Sequence, residues 1–260
     1  MTLVHAGYHK VASMWFENVL SEVAHHFGLT FSSTYLPFVD GGAIFLRSQP
    51  SPASAPATWL GDVNLFMHSR NFDDALFGTR SVRGTHIVRD PRDVAVSGYR
   101  YHLWTDEKWA RDPSEWFDGM SYQEKLRSLS EEEGLLLEIE RTCRWTVGDM
   151  RVWDDTRPEF LELRYEDLIK DEHAGFEQIF RHYGFTDPAV QASLEIAGRH
   201  SFKAKTGRAI GEVGGDTHLR SGAPGQWRAD FKPQHVELFK RMGNDVLIQL
   251  GYEKDDSWTA

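Results

Sequence analysis

The spacing of apolar positions changes several times along the chain. Leu3 to Ala6 is a short apolar run that passes through Gly7-Tyr8-His9-Lys10 into a stretch with Trp15, Val19, Val23 and Phe27 spaced by four. A continuous run giving way to a period near 3.6 predicts strand, loop, helix. Ser13 is expected at the N-cap or in the first turn, where its hydroxyl can satisfy a free amide. Ala43 to Leu46, Val63 to Met67 and Thr85 to Val88 read as further short strands, and the prolines of Ser48 to Ala57 predict a surface loop. Arg89-Asp90-Pro91 stops the last of these strands. A proline favoured in the first turn then opens a helix carrying Val94, Ser97 and Tyr101.

From Ser121 to Trp153 the pattern is helical, with Leu126, Leu129, Leu136, Ile139, Cys143 and Val147 as an apolar stripe broken only at Gly134. Phe160 to Tyr165 alternates as a strand does, and a helix with Phe176, Ile179, Phe180 and Tyr183 on one face follows. Lys203 to Gln226 is rich in glycine, charge and small residues, so a mobile loop that orders on a ligand is expected at about 203–226. Pro233 to Leu250 closes the chain as a helix. Strands alternating with helices predict an α/β fold: one domain over 1–260, with a mainly parallel central sheet flanked by helices on both faces.

Composition narrows the function. With 40% apolar and 26% charged residues the 260-residue chain is globular, and its net charge of -10 argues against bulk nucleic-acid binding. Any anion site must be a local cluster of cations. The single Cys143 cannot form an internal disulfide, and neither it nor the 12 histidines show metal-ligand spacing, so no metal is expected. The N-terminus lacks a basic-then-apolar signal and no stretch is long enough to span a membrane, which leads us to expect a cytoplasmic protein. No coiled-coil pattern fixes an oligomeric state, and a homo-oligomer is compatible with the sequence.

Three segments carry chemistry. The first loop, Gly7 to Ser13, joins a strand to a helix N-terminus, where free amides and the helix dipole attract phosphate; a purely structural tight turn accounts for the pattern equally well. It is not a Walker A motif, which needs a second glycine directly before the lysine. The second segment, Ile87-Val88-Arg89-Asp90-Pro91-Arg92-Asp93-Val94-Ala95-Val96-Ser97, places a guanidinium at a strand end and a hydroxyl about two turns into a helix, a pair able to close on one phosphate. The third is Leu219-Arg220-Ser221-Gly222-Ala223-Pro224-Gly225-Gln226-Trp227-Arg228.

In that order these segments resemble the family of sulfotransferases dependent on 3′-phosphoadenylyl sulfate (PAPS), whose first signature, Tyr-Pro-Lys-Ser-Gly-Thr-Thr-Trp, is similar to Tyr8 through Trp15. His9, Val11, Ala12 and Met14 depart from it. The resemblance implies a P-loop NTPase-like sulfotransferase fold, PAPS as cosubstrate, adenosine 3′,5′-bisphosphate as product and no required metal. It implies that Lys10, Val11, Ala12, Ser13, Met14 and Trp15 surround the 5′-phosphate, and that Arg89, Ser97, Arg220, Ser221 and Gly222 hold the 3′-phosphate. Leu163 to Leu168 and His200-Ser201-Phe202 are similar to segments that place Tyr165 and Phe202 by the adenine.

Lys10 is then the catalytic cation, and His68, about twenty residues before Arg89, matches the position of the family's general base, with a surface strand-end histidine as the alternative. His102 lines an acceptor pocket or serves the core, and Tyr99 to Trp116 offers an aromatic pocket wall or simply core packing. Arg92 and Asp93 read as a solvated or ion-paired helix start, and Glu131-Glu132-Glu133 as an exposed face. The expected reaction moves a sulfuryl group to a hydroxyl, or an amine, of a small-molecule acceptor. An ATP-dependent small-molecule kinase and a non-catalytic nucleotide-binding module are the alternatives.

Overall fold

A computed structural model describes residues 1–33, 65–68, 80–214 and 220–260. The expected strand Ala43 to Leu46 and loop Ser48 to Ala57 lie outside the described residues, as do Val63, residues 215–219 of the glycine-rich segment and the side chain of His68. The described chain forms two compact units, one of residues 1–88 and 152–207, the other of residues 89–151 and 208–260.

The first unit is built on five strands: β1 (Thr2–Ala6), β2 (Phe31–Ser33), β3 (Leu65–His68), β4 (Val82–Val88) and β5 (Phe160–Arg164). Their order is β2-β3-β1-β4-β5 and every pairing is parallel, as the alternation of strands and helices predicts. Every residue of β1 is buried, which is why its sequence is a continuous apolar run rather than an alternation. The chain leaves β1 towards β2 and β4 towards β5, so it diverges at β1/β4, the place in an open parallel sheet where ligands bind beyond the carboxyl ends. Helix α1 (Ser13–His26) buries Phe16, Val19, Leu20 and Val23 and packs on β3 and β2.

The second unit is helical. It contains α2 (Pro91–His102), the short α3 (Lys108–Arg111), α4 (Tyr122–Ser128), α5 (Glu131–Thr142) and α6 (Gly148–Arg151). The expected single helix from Ser121 to Trp153 is several pieces. The break falls at Leu129-Ser130, because Ser121/Glu124 and Ser130/Glu133 each form a capping box and so start two separate helices. Gly134 does not interrupt α5: a Cβ there would lie 2.7 Å from the Tyr99 ring, so glycine lets α2 and α5 approach. A π-helical turn at Cys143–Val147 links α5 to α6.

The remaining helices are α7 (Tyr165–Leu168), α8 (Glu172–His182), α9 (Asp187–Arg199) and α10 (Phe202–Thr206) in the first unit, and α11 (Trp227–Asp230) and α12 (Pro233–Gln249) in the second. α9 packs on α1 and α8, and α12 packs on α5. Among the described residues no helix is long and apolar enough to cross a membrane, and no cluster of acidic, histidine or cysteine side chains could hold a metal ion.

Candidate functional site

The first loop is held by its backbone. Lys10 (φ 64°) and Ala12 (φ 56°) both adopt the left-handed conformation that side chains other than glycine disfavour. Left-handed residues alternating with ordinary ones turn successive amides to one side, a concavity suited to an anion. Ala12, not Ser13, occupies the N-cap and supplies no side-chain cap. Ser13 is the first helical residue, and its hydroxyl donates to the Tyr8 carbonyl at 2.9 Å, so it braces the loop. Val11 is buried, Lys10 and Trp15 are half-buried, and Met14 is exposed.

A polar chain runs from the buried Tyr8 and His86 to the exposed Glu162. Tyr8 is 3% exposed, with its hydroxyl 2.9 Å from His86 Nε2; His86 Nδ1 is 2.6 Å from Glu162 Oε2, and Glu162 Oε1 accepts from Trp153 Nε1 at 3.0 Å. The His86 imidazole also stacks on Trp153 with centroids 3.9 Å apart. Loop, β4 and β5 are thereby tied at one end of the sheet. No local pattern signals this arrangement, because its members are far apart in the chain. Nearby, His5 Nδ1 meets Thr85 Oγ1 at 2.9 Å and its ring stacks on Phe16 at 3.8 Å. Burial, reinforced by the His86 charge, depresses its pKa to about 3.

His68 ends β3. Its backbone is in register with Ala6, which on its other side pairs with His86. Tyr165 and Phe202 open α7 and α10 and are both buried in the first unit; Ser201 caps α10 by accepting from the Ala204 amide at 3.1 Å.

In the second unit, the second and third sequence segments come together at the start of α2. Arg89 follows β4 directly and is 7% exposed. Asp90 caps α2 by accepting from the Arg92 amide at 2.9 Å, and Pro91 occupies the first turn. From Pro91 to Tyr99 only Ser97 escapes burial. Asp93 accepts from the amides of Gly225 (2.5 Å) and Trp227 (3.0 Å), which fixes the segment after Arg220 to α2. Burial raises the pKa of Asp93, against the pull of the Arg89 charge.

Within that segment Ser221 is buried and Gly222 takes φ 66°. Arg220 donates to Gln226 Oε1 at 3.1 Å, while Gln226 Nε2 donates to the Ala223 carbonyl at 2.8 Å, so the glutamine bridges the turn. The described parts of the glycine-rich segment have defined contacts. It begins as α10, and amides of Gly211 and Gly214 donate to the Ser221 and Arg220 carbonyls at 2.8 and 2.7 Å.

Several side chains stand elsewhere than one reading of the sequence had them. Arg92 and Asp93 are not solvated: Arg92, 1% exposed, takes the ion-paired alternative, with Asp90 at 2.8 Å and Glu253 at 2.5 Å. Both were missed as parts of the site, because a charged helix start reads as solvent-facing unless its distant partners are known. His102 is completely buried against Glu138 at 2.7 Å, in a cluster that also holds Tyr122. Tyr99 and Tyr101 are core residues, and Trp116 is 90% exposed. Glu131, Glu132 and Glu133 form the expected exposed face.

Residues 74–251 match the family model described as "Sulfotransferase domain". The chain belongs to the sulfotransferase domain family. The matched span takes in Arg89, Ser97 and Arg220 to Gly222; it begins after the Lys10 loop and ends before Tyr252. A curated relative of this family, human sulfotransferase 2A1, is 24% identical over 199 residues, 70% of this chain and 62% of the relative, so the similarity spans less than two thirds of that protein's length.

Among solved structures the sulfotransferase fold recurs in mouse sulfotransferase SULT7A1 complexed with PAP, with a TM-score of 0.60 and 15% identity over 97% of this chain and 89% of that one. It recurs also in retinol dehydratase in complex with androsterone and the inactive cofactor PAP, with a TM-score of 0.55 and 17% identity over 95% and 80% of the two chains.

Proposed function

We propose that this protein transfers the sulfuryl group of PAPS to a hydroxyl, less often an amine, of a small-molecule acceptor. The observation that carries the reading is the tie of Asp93 to the Gly225 and Trp227 amides, which joins the Arg89–Ser97 segment to the Arg220–Gly222 segment. Two cations, two hydroxyls and a left-handed glycine on these segments suit a dianionic phosphate, and Arg89 is buried as a fixed rather than a solvated charge. The solved structures of mouse sulfotransferase SULT7A1 and of retinol dehydratase, which share the fold and carry PAP, support the same ligand.

In this reading Arg89, Ser97, Arg220, Ser221 and Gly222 hold the 3′-phosphate. Lys10, with the segment Val11, Ala12, Ser13, Met14 and Trp15, holds the 5′-phosphate, and Tyr165 and Phe202 flank the base. His68 removes the acceptor proton as the acceptor oxygen attacks sulfur. The bond from sulfur to the phosphate oxygen breaks, and adenosine 3′,5′-bisphosphate leaves with the electron pair. Lys10 and the amides at the start of α1 stabilise that leaving charge, so the protein contributes position, a base and preorganised positive charge. No step calls for a metal, and the protein acts in the cytoplasm in this reading.

Thermal melting with adenosine 3′,5′-bisphosphate, AMP and ATP tests the nucleotide. At about 100 times its Kd the bisphosphate should stabilise the fold by ~2.7 kcal/mol, with a smaller shift for AMP. A response to ATP alone would instead favour a kinase.

A further inference from the structure

From Tyr252 on, the tail beyond α12 is outside the matched family span, yet it lies against the start of α2. Hydrogen bonds from the amides of Gly251, Tyr252 and Glu253 to the Ile248 and Leu247 carbonyls turn the chain back after the helix. Glu253 then meets Arg92 at 2.5 Å. Trp258, 7% exposed, donates its indole N–H to Asn244 Oδ1 at 2.8 Å and packs edge-on against Trp227, with ring centroids 5.5 Å apart at 87°. The Arg92 guanidinium lies 3.8 Å from the Trp227 ring centroid and 4.6 Å from that of Trp258. Its other bonds go to both carboxylate oxygens of Asp90, at 2.9 and 2.8 Å.

We propose that the C-terminal tail, through Glu253 and Trp258, positions the 3′-phosphate groups of the second unit by fixing Arg92. The inference rests on the nucleotide reading above. Arg92 has no route to a ligand, because its guanidinium is enclosed by two carboxylates and two indoles. What it fixes are the neighbours of the phosphate groups. Asp90 sets the turn immediately after Arg89, and Trp227 carries the amide that Asp93 binds, five residues beyond Gly222. A buried guanidinium holds one geometry only while its partners surround it, since each donor left unpaired away from water is costly. Glu253 and Trp258 are therefore positioning residues, remote in sequence from every segment they serve.

The test is calorimetric titration of the full-length protein with adenosine 3′,5′-bisphosphate and, separately, with AMP, which lacks the 3′-phosphate. Four variants are compared with wild type: Trp258→Ala, Trp258→Phe, Glu253→Gln and Arg151→Ala. The last cuts the exposed tie from Arg151 to Asp245 on α12 without touching Arg92. Folding is checked by circular dichroism.

Trp258→Ala and Glu253→Gln should each weaken bisphosphate binding about tenfold or more while AMP binding changes less than about twofold. Trp258→Phe should recover much of the loss, and Arg151→Ala should show none. Glu253→Gln removes a single charge and leaves the tail packed, so it decides the matter even if Trp258→Ala does not fold. Equal weakening of both nucleotides, or unchanged bisphosphate binding in the folded variants, would overturn the inference. Wild type binding the bisphosphate no more tightly than AMP would overturn the nucleotide reading itself, and this inference with it.

Discussion

The loop after β1 and the start of α2 are the two segments proposed to hold phosphate, and they are held by different physics. The loop after β1 owes its shape to backbone conformation: two non-glycine residues at positive φ, a hydroxyl bonded to the Tyr8 carbonyl, and a hydrogen-bonded chain from Tyr8 through His86 to Glu162. The start of α2 is held by charge, with Asp90, Arg92, Asp93 and Glu253 paired among themselves, with backbone amides and with two tryptophans. A site set by backbone tolerates substitution of its side chains but carries strain. A site set by buried charges is intolerant of losing any one partner, because the charge left behind is stranded.

The largest effect expected from this contrast is that of Asp93→Ala. It strands the Gly225 and Trp227 amides and uncovers the Arg89 charge, so we expect a loss of about 3 to 5 kcal/mol. Denaturant unfolding measures it, and bisphosphate affinity should fall with it. A loss below about 1 kcal/mol, the range of an exposed pair, would remove the distinction between the regions.

Next is His86→Phe, which keeps the stacking surface for Trp153 but leaves Glu162 Oε2 without its histidine. The expected cost is about 1 to 3 kcal/mol by the same measurement. The ratio of bisphosphate to AMP affinity should stay as in wild type, since the residues proposed to hold the 3′-phosphate belong to the second unit. A ratio that falls as far as in Glu253→Gln would show that the two regions are not separately supported.

The pH dependence comes third in size. His5 in the folded protein has its pKa depressed to about 3, so between that value and about 6.5 the unfolded chain binds the extra proton. Stability from this group is complete above pH 6.5 and is lost as pH falls towards 3, amounting to about 2 kcal/mol at pH 5. Unfolding curves of His5→Gln should be flatter than wild type between pH 7 and 5; an unchanged slope would contradict the burial argument.

The smallest effect is that of Ala12→Gly. Relief of a left-handed alanine should stabilise the protein by up to about 1 kcal/mol. Destabilisation would mean that the loop is not strained.

The sequence foretold those parts of the molecule that depend on neighbours in the chain. Arg89-Asp90-Pro91 marked the end of β4 and the start of α2 because a capping carboxylate and a first-turn proline act locally. The parallel sheet followed from alternation alone. Among the elements that escaped, β2 has only three residues, and α9 has Pro188 at its start and few large apolar residues, so neither shows a strong period. Gly134 misled because a glycine reads as a gap in the apolar stripe until the Tyr99 ring that needs the space is known. Arg92 and Asp93 misled for the same reason: their partners lie at residues 225–227, 253 and 258, and no local pattern reports a contact across that distance.

The most direct test of the central claim is turnover with PAPS and a panel of phenols, alcohols and amines, following release of adenosine 3′,5′-bisphosphate in the presence of a chelator. The account predicts acceptor-dependent release, matched by sulfated product, that persists without added metal and drops about 10²- to 10⁴-fold in His68→Ala. No release with any acceptor, alongside Mg²⁺-dependent consumption of ATP, would contradict it.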